Sequence, residues 1–85
     1  MRIIAKSQTA NILPLSEAAI GKRFRLVKIN GGHRLTRRLL ALGLSLGTEL
    51  EVVQRRGRGV VVARGGNRVA LGEGVAQKLL GEALG

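Results

Sequence analysis

Three observations predict a mainly β fold: a small SH3-like barrel with one helix inserted after the first core strand and a short C-terminal helical cap. The stretches 22–30, 48–55, 60–64 and 68–72 are rich in β-branched and aliphatic residues, and glycine turns separate them. Between the first two lies "HRLTRRLLAL" (33–42), whose leucines recur at helical spacing. The apolar set is almost wholly aliphatic, with Phe24 the only aromatic residue and no cysteine to supply a staple. A small, partly open barrel of this kind is the economical way for 85 residues to enclose so thin a core and to hide strand edges.

The elements follow in order. Residues 1–11 mix apolar and polar side chains without period, as a tail or as an edge strand through Ile3 and Ile4; residues 12–85 form one domain. In "PLSEAAIG" (14–21), Ser16 is a candidate helix N-cap, Glu17 suits the positive helix end, and Gly21 stops the chain within about a turn and a half. In "KRFRLVKIN" (22–30), Phe24 and Leu26 share one face while Val27 and Ile29 crowd the other, so the broken alternation predicts a bulge.

The strand closes at Asn30-Gly31-Gly32, strong turn chemistry. In the helix that follows, Leu35, Leu39 and Leu42 form one stripe that Leu40 widens, while arginines occupy other positions. Gly43 falls where a left-handed C′ residue belongs, with Leu44 placed to pack back on Leu39. Next, "TELEVVQR" alternates with Leu50 and Val52 inward and Glu49 and Glu51 outward. "RRGRG" (55–59) reads as a loop and "VVVAR" as a short strand. Gly65-Gly66 supplies a tight hairpin, and "RVALG" is a last core strand with Val69 and Leu71 inward. "EGVAQKLL" closes the chain as a short helix or irregular cap anchored by Val75, Leu79 and Leu80.

Fifteen Lys and Arg stand against five Glu and no Asp, a formal charge of +10. Such a balance points to an acidic partner: nucleic acid, an anionic membrane surface or an acidic protein patch. The catalytic inventory is poor. His33 is the only histidine, and without aspartate a Ser-His-Asp triad cannot form. One histidine and five scattered glutamates offer no zinc-like spacing, and the glycine runs match neither phosphate-loop pattern. No enzyme activity, catalytic residue, metal site or cofactor is expected, nor is a small-molecule substrate. No apolar run is long enough for a signal segment or a membrane span, which is compatible with a cytoplasmic protein.

The basic residues gather in three places: Lys22, Arg23, Arg25 and Lys28 on the first strand; Arg34, Arg37 and Arg38 on the helix; Arg55, Arg56 and Arg58 in the loop. Arg34 opposes the helix dipole by about 0.3–1 kcal/mol at most, so helix stability alone does not explain it. The candidate partner-binding residues are therefore Arg34, Arg37, Arg38, Arg55, Arg56 and Arg58. Single-stranded nucleic acid is usually held on aromatic platforms, and this chain has no Tyr or Trp, so no specific nucleic acid is expected. A small basic RNA- or DNA-binding barrel, acting by backbone electrostatics, is the alternative reading.

The motifs in their order resemble the ferrous-iron transport protein A (FeoA) family over residues 13–80. They are Leu15-Ser16 with Gly21, Ile29 through Gly32, the helix exit Arg37 to Leu44, the strand Gly47 to Val52, and Arg68 to Gly72. The resemblance implies an SH3-like barrel and a cytosolic accessory protein. Such a protein docks on, and regulates or assembles, a GTPase-linked ferrous-iron transporter of the inner membrane, lying peripheral to that membrane when bound. A GTPase-activating role is a further option, although no single arginine stands out for it. The same fold is the C-terminal domain of iron-dependent repressors, but nothing before residue 13 reads as a DNA-binding helix-turn-helix. Many family members carry Gly-Asp-Pro near the start of the third strand; here "RGRGVVV" makes that loop more basic.

Overall fold

A computed structural model describes residues 11–84. The strands are β1 (Ile12–Pro14), β2 (Arg23–Ile29), β3 (Glu49–Arg56), β4 (Gly59–Arg64), β5 (Asn67–Leu71) and β6 (Leu79–Ala83). A 3-10 turn (Leu15–Glu17) follows β1. The helix α1 (His33–Ala41) lies between β2 and β3, and the single turn α2 (Glu73–Ala76) precedes β6. All pairings are antiparallel in the spatial order β1-β6-β2-β3-β4-β5, and the sheet forms an SH3-like barrel. Its core is aliphatic apart from Phe24: Leu15, Leu26, Leu44, Val52, Val62 and Leu79 are among the side chains fully withdrawn from solvent. The tail-or-strand reading of the N-terminus falls, but for Asn11, outside the described residues.

The bulge in β2 is present. Leu26 pairs with Gly81 and Lys28 with Leu80, so Val27 is the extra residue and the inward phase passes from Leu26 to Ile29. The helix exit is a Schellman cap: Gly43 has φ +83°, Leu44 N–H bonds to Leu39 O at 2.8 Å, and Gly43 N–H bonds to Leu40 O at 2.9 Å. Leu42 does not seal the barrel as its spacing predicted; it is 49% exposed, because the helix stops at Ala41 and Leu42 is the C-cap, where the chain leaves the helical path. Leu40 is likewise exposed, leaving Leu39 and the half-buried Leu35 to hold α1.

Three other expectations are corrected. Ser16 is not an N-cap but lies inside the 3-10 turn, buried. Three residues per turn align Leu15 with Ala18, and both are fully buried; beyond Glu17 the backbone at Ala18 is already extended, so no longer helix forms. The C-terminal segment is a helical cap only over Glu73–Ala76, after which residues 79–83 form a strand between β1 and β2. Ala76 and Leu79 are its buried anchors, with Val75 and Leu80 only partly covered. Gly81 makes this insertion fit: a Cβ there would lie 3.1 Å from both Leu15 Cδ2 and Phe24 Cβ.

The third correction concerns Arg55 and Arg56, which belong to β3 and not to a loop; only Gly57 and Arg58 make the turn into β4. A second bulge explains the orientation of Arg55. Val52 pairs with Val62 but Gln54 with Val61, so Val53 is extra and the phase of the strand flips. Arg55 then stands opposite the buried Val60, and its guanidinium donates to the carbonyl oxygens of Ala18 and Ser16, the latter at 2.6 Å. It clamps the 3-10 turn onto the barrel.

Two substitutions test these contacts by chemical denaturation. Arg55→Ala leaves two carbonyls of buried residues without their charged donor and should cost about 1–3 kcal/mol. Arg55→Lys should restore little, because a single ammonium lacks the fork that reaches both oxygens. Arg56→Ala, exposed on the same strand, should stay within about 0.5 kcal/mol. Gly81→Val forces atoms between Leu15 and Phe24 and should destabilise by about 2 kcal/mol or more.

Candidate functional site: the basic face of the inserted helix

The described residues contain no grouping of three or more His, Cys, Asp or Glu side chains able to hold a metal ion. None of their helices is long and apolar enough to cross a membrane. What the fold does arrange is charge, and it separates the three basic groups of the sequence.

On the outer face of the sheet, antiparallel register puts cations beside acids. Arg25 stands opposite Glu49 on one side and Glu82 on the other. Arg23 and Arg25 both reach Glu49, at 3.2 and 3.3 Å, and Arg25 lies 3.7 Å from Glu82. These pairs are exposed and contribute little to stability, but they neutralise that surface. The outward placement of Glu49 opposite basic neighbours is thus as the alternation predicted.

The turn arginines behave differently from one another. Arg55 is engaged inside the chain as described. Arg58 is exposed and faces Glu73 at 3.6 Å, and Arg56 is exposed without an acidic partner among the described residues. Arg55 and Arg58 line a polar cleft of about 530 Å³ with Ser16, Glu17, Glu73 and Gln77.

The helix carries the unbalanced charge. Arg34, Arg37 and Arg38 are all exposed, and none meets a carboxylate among the described residues. Gly32 occupies the N-cap without a side-chain bond, and the first turn holds no acid, so Arg34 faces the positive helix end uncompensated. With Leu35 and Leu39 turned to the core, helical geometry sends Arg34 and Arg38 (i, i+4) down one flank, Arg37 onto the crest and Thr36 and Leu40 down the other flank.

Each flank borders a different hollow. Arg34 and Arg38 line one of about 450 Å³ with Gly31, Gly32, Gly72, Gly74 and Lys78. Leu40 lines an apolar groove of about 470 Å³ with Val27, Ile29 and the 61%-exposed Leu46. The six arginines singled out by charge therefore do not form one site: Arg34 and Arg38 border one hollow, Arg55 and Arg58 another, and Arg37 stands on the crest of the helix.

Sequence reasoning missed Lys78 and Arg64. Lys78 joins Arg34 and Arg38 only because β6 pairs with β2, and no local pattern announces that. Arg64, at the end of β4, lays its guanidinium over the cap of α1: a Cβ on Gly43 would lie 3.2 Å from its Nη1. A cation there suits the negative end of the helix.

With this geometry established, comparison with known proteins places it. Residues 13–83 match the FeoA domain. Over 69 residues the chain is 30% identical to a putative Fe(2+) transport protein A from Methanocaldococcus jannaschii, spanning 81% of this chain and 84% of that one. Among solved structures, an iron uptake regulatory protein (FeoA) superposes with a TM-score of 0.78 at 33% identity, over 86% of this chain and 97% of that one. A manganese-dependent transcriptional repressor also superposes, with a TM-score of 0.78 at 25% identity; it covers 86% of this chain but only 42% of the repressor. The match extends through nearly every described element, from Leu13 in β1 to Ala83 at the end of β6, and the chain belongs to the FeoA domain family.

Proposed function

We propose that this protein is a small cytoplasmic accessory of ferrous-iron uptake. It docks on a GTPase-linked ferrous-iron transporter of the inner membrane, and regulates or assembles it without chemistry of its own. The observation that carries this reading is the FeoA domain match over residues 13–83, with relatives described as an Fe(2+) transport protein A and an iron uptake regulatory protein.

The docking face in this reading is the exposed side of α1. Arg34, Arg37 and Arg38 give long-range attraction to an acidic surface, which sets the rate of encounter and the orientation. The exposed Leu40 and Leu46 beside them add apolar area that loses water on contact. Arg56 and Arg58 add charge at a separate place, Arg58 opposed there by Glu73, whereas Arg55 contributes to docking only by holding the 3-10 turn. The same charges favour an anionic membrane surface, by about 1 kcal/mol for each well-placed Lys or Arg, keeping the protein peripheral to the membrane once bound.

The test is copurification with the detergent-solubilised transporter at physiological salt. Wild-type protein should be retained. A triple Arg34→Glu, Arg37→Glu, Arg38→Glu variant should be lost while keeping the wild-type unfolding midpoint within a few degrees. Mixing the purified partners should also change the transporter's rate of GTP hydrolysis if the effect is regulatory; unchanged hydrolysis with retained binding supports assembly. Absence of association, or tight sequence-selective binding to labelled oligonucleotides in fluorescence anisotropy, overturns the reading in favour of a nucleic-acid-binding barrel.

A further inference from the structure

The hollow between α1 and α2 brings together three cations from distant parts of the chain. Arg34 and Arg38 come from successive turns of α1, and Lys78 comes from the link between α2 and β6. The backbone fixes their approach. Asn30 N–H bonds to Lys78 O at 2.7 Å, and Ile29 pairs with Leu79, so the segment entering α1 is tied to the segment leaving α2.

No carboxylate lines this hollow. The one acid close by in sequence, Glu73, turns toward Arg58 at 3.6 Å, and Glu49 and Glu82 are engaged on the sheet. Three like charges thus converge without a counter-ion among the described residues. Their mutual repulsion is a modest cost, screened by solvent, that a bound anion would remove.

The wall is mostly apolar, and its charge comes from Arg34, Arg38 and Lys78 alone. Four glycines line the hollow, and at Gly32, Gly72 and Gly74 the space a Cβ would fill is open, so a ligand can reach the main chain there. Leu35 and Val75 give an apolar floor, and the volume of about 450 Å³ exceeds that of a bare oxyanion. Two guanidinium forks and an ammonium can be shared among the oxygens of one phosphate, which accepts several charge-assisted bonds at once; a single carboxylate offers only two oxygens.

We infer that this hollow is a binding site for a phosphate group, held by Arg34, Arg38 and Lys78, with the organic part of a phosphate ester lying on Leu35 and Val75. The inference is independent of the transporter: it concerns a ligand of the isolated protein. A soluble phosphate ester and the headgroup of an anionic lipid share this chemistry.

Amide NMR of the full chain titrated with inorganic phosphate at constant ionic strength is the first arm. Saturable shifts should centre on Gly31, Gly32, Gly72 and Gly74, with a dissociation constant on the order of a millimolar. Flotation with vesicles of 70% phosphatidylcholine and 30% phosphatidylglycerol, against pure phosphatidylcholine, is the second arm. An Arg34→Gln, Arg38→Gln, Lys78→Gln variant should lose about tenfold in affinity. A Lys22→Gln, Lys28→Gln, Arg68→Gln variant, equal in charge and altered only at exposed positions outside the hollow, should retain it. Phosphate shifts without flotation assign a soluble ester; flotation abolished selectively by the first variant assigns the lipid. Both outcomes support the site. Equal losses in the two variants, shifts scattered over the whole basic surface, or no response in either arm overturn it.

Discussion

The passage of β6 between β1 and β2 is the constraint on which the rest of the molecule depends. Without it β1 would be cut off from β2, because β6 makes the pairings to both. The passage works because Gly81 lets Leu15 and Phe24 close over the strand, where even a methyl group would force them to give way by a few tenths of an ångström. A core with one aromatic residue has little volume to lose, so close approach substitutes for bulk. The two bulges serve the same closure. Each adds a residue to one strand of a pair, increases the coiling of the sheet, and changes which side chains face inward afterwards: Ile29 in β2, Arg55 in β3. In the second case the strand ends by directing a guanidinium to the main chain of the turn that covers the barrel.

Closure in this manner also decides where charge is balanced. Adjacent strands set Arg23 and Arg25 near Glu49 and Glu82, since antiparallel neighbours on one face lie within ion-pair reach. The helix has no such neighbours. It meets the barrel through Leu39 and part of Leu35, and the rest of its surface is open. Its cations are therefore left to solvent or to a ligand. The accumulation of charge on α1 follows from a sequence with three cations for every acid and a fold that places its acids elsewhere.

What was legible in the sequence is what local pattern specifies. Alternation marks β2 up to Leu26 and β3 up to Val52, and the leucine spacing with Gly43 marks α1 and its cap. The break at Val27 was visible because Leu26-Val27 and Ile29 cannot share a simple period of two. The break at Val53 was not, because Leu50 and Val52 alternate correctly up to it, and nothing local says that the phase flips before Arg55. The strand at 79–83 was hidden for a different reason. Leu, Glu, Ala and the preceding Lys favour helix intrinsically, and only pairing with β1 and β2 on both edges makes the segment extended. The charged candidates divide in the same way. Arg34, Arg37 and Arg38 could be grouped from helical spacing, whereas the company of Lys78 depends on that unforeseen strand.

These two layers of information bear on how the helix relates to the barrel. A helix of nine residues is marginal by itself, so α1 persists through its packing, its cap and its tether. The packing is narrow, and neither Gly32 nor an acid compensates its first turn. The Schellman cap and the guanidinium of Arg64 support its C-terminal end. Its N-terminal end is held by the bond from Asn30 to Lys78 and by the fit of Gly31 against Leu35, where a Cβ would meet Cδ2 at 2.5 Å. The end with the weakest internal support thus borders the hollow through Gly31, Gly32 and Arg34, with Arg38 one turn further along the helix and Lys78 opposite. An anion seated there would stabilise the first turn by supplying the negative charge the sequence withholds, coupling occupancy of the hollow to the order of the helix. Because Arg37 and Leu40 ride on the same short helix, an anion in the hollow would also firm the face proposed above for docking.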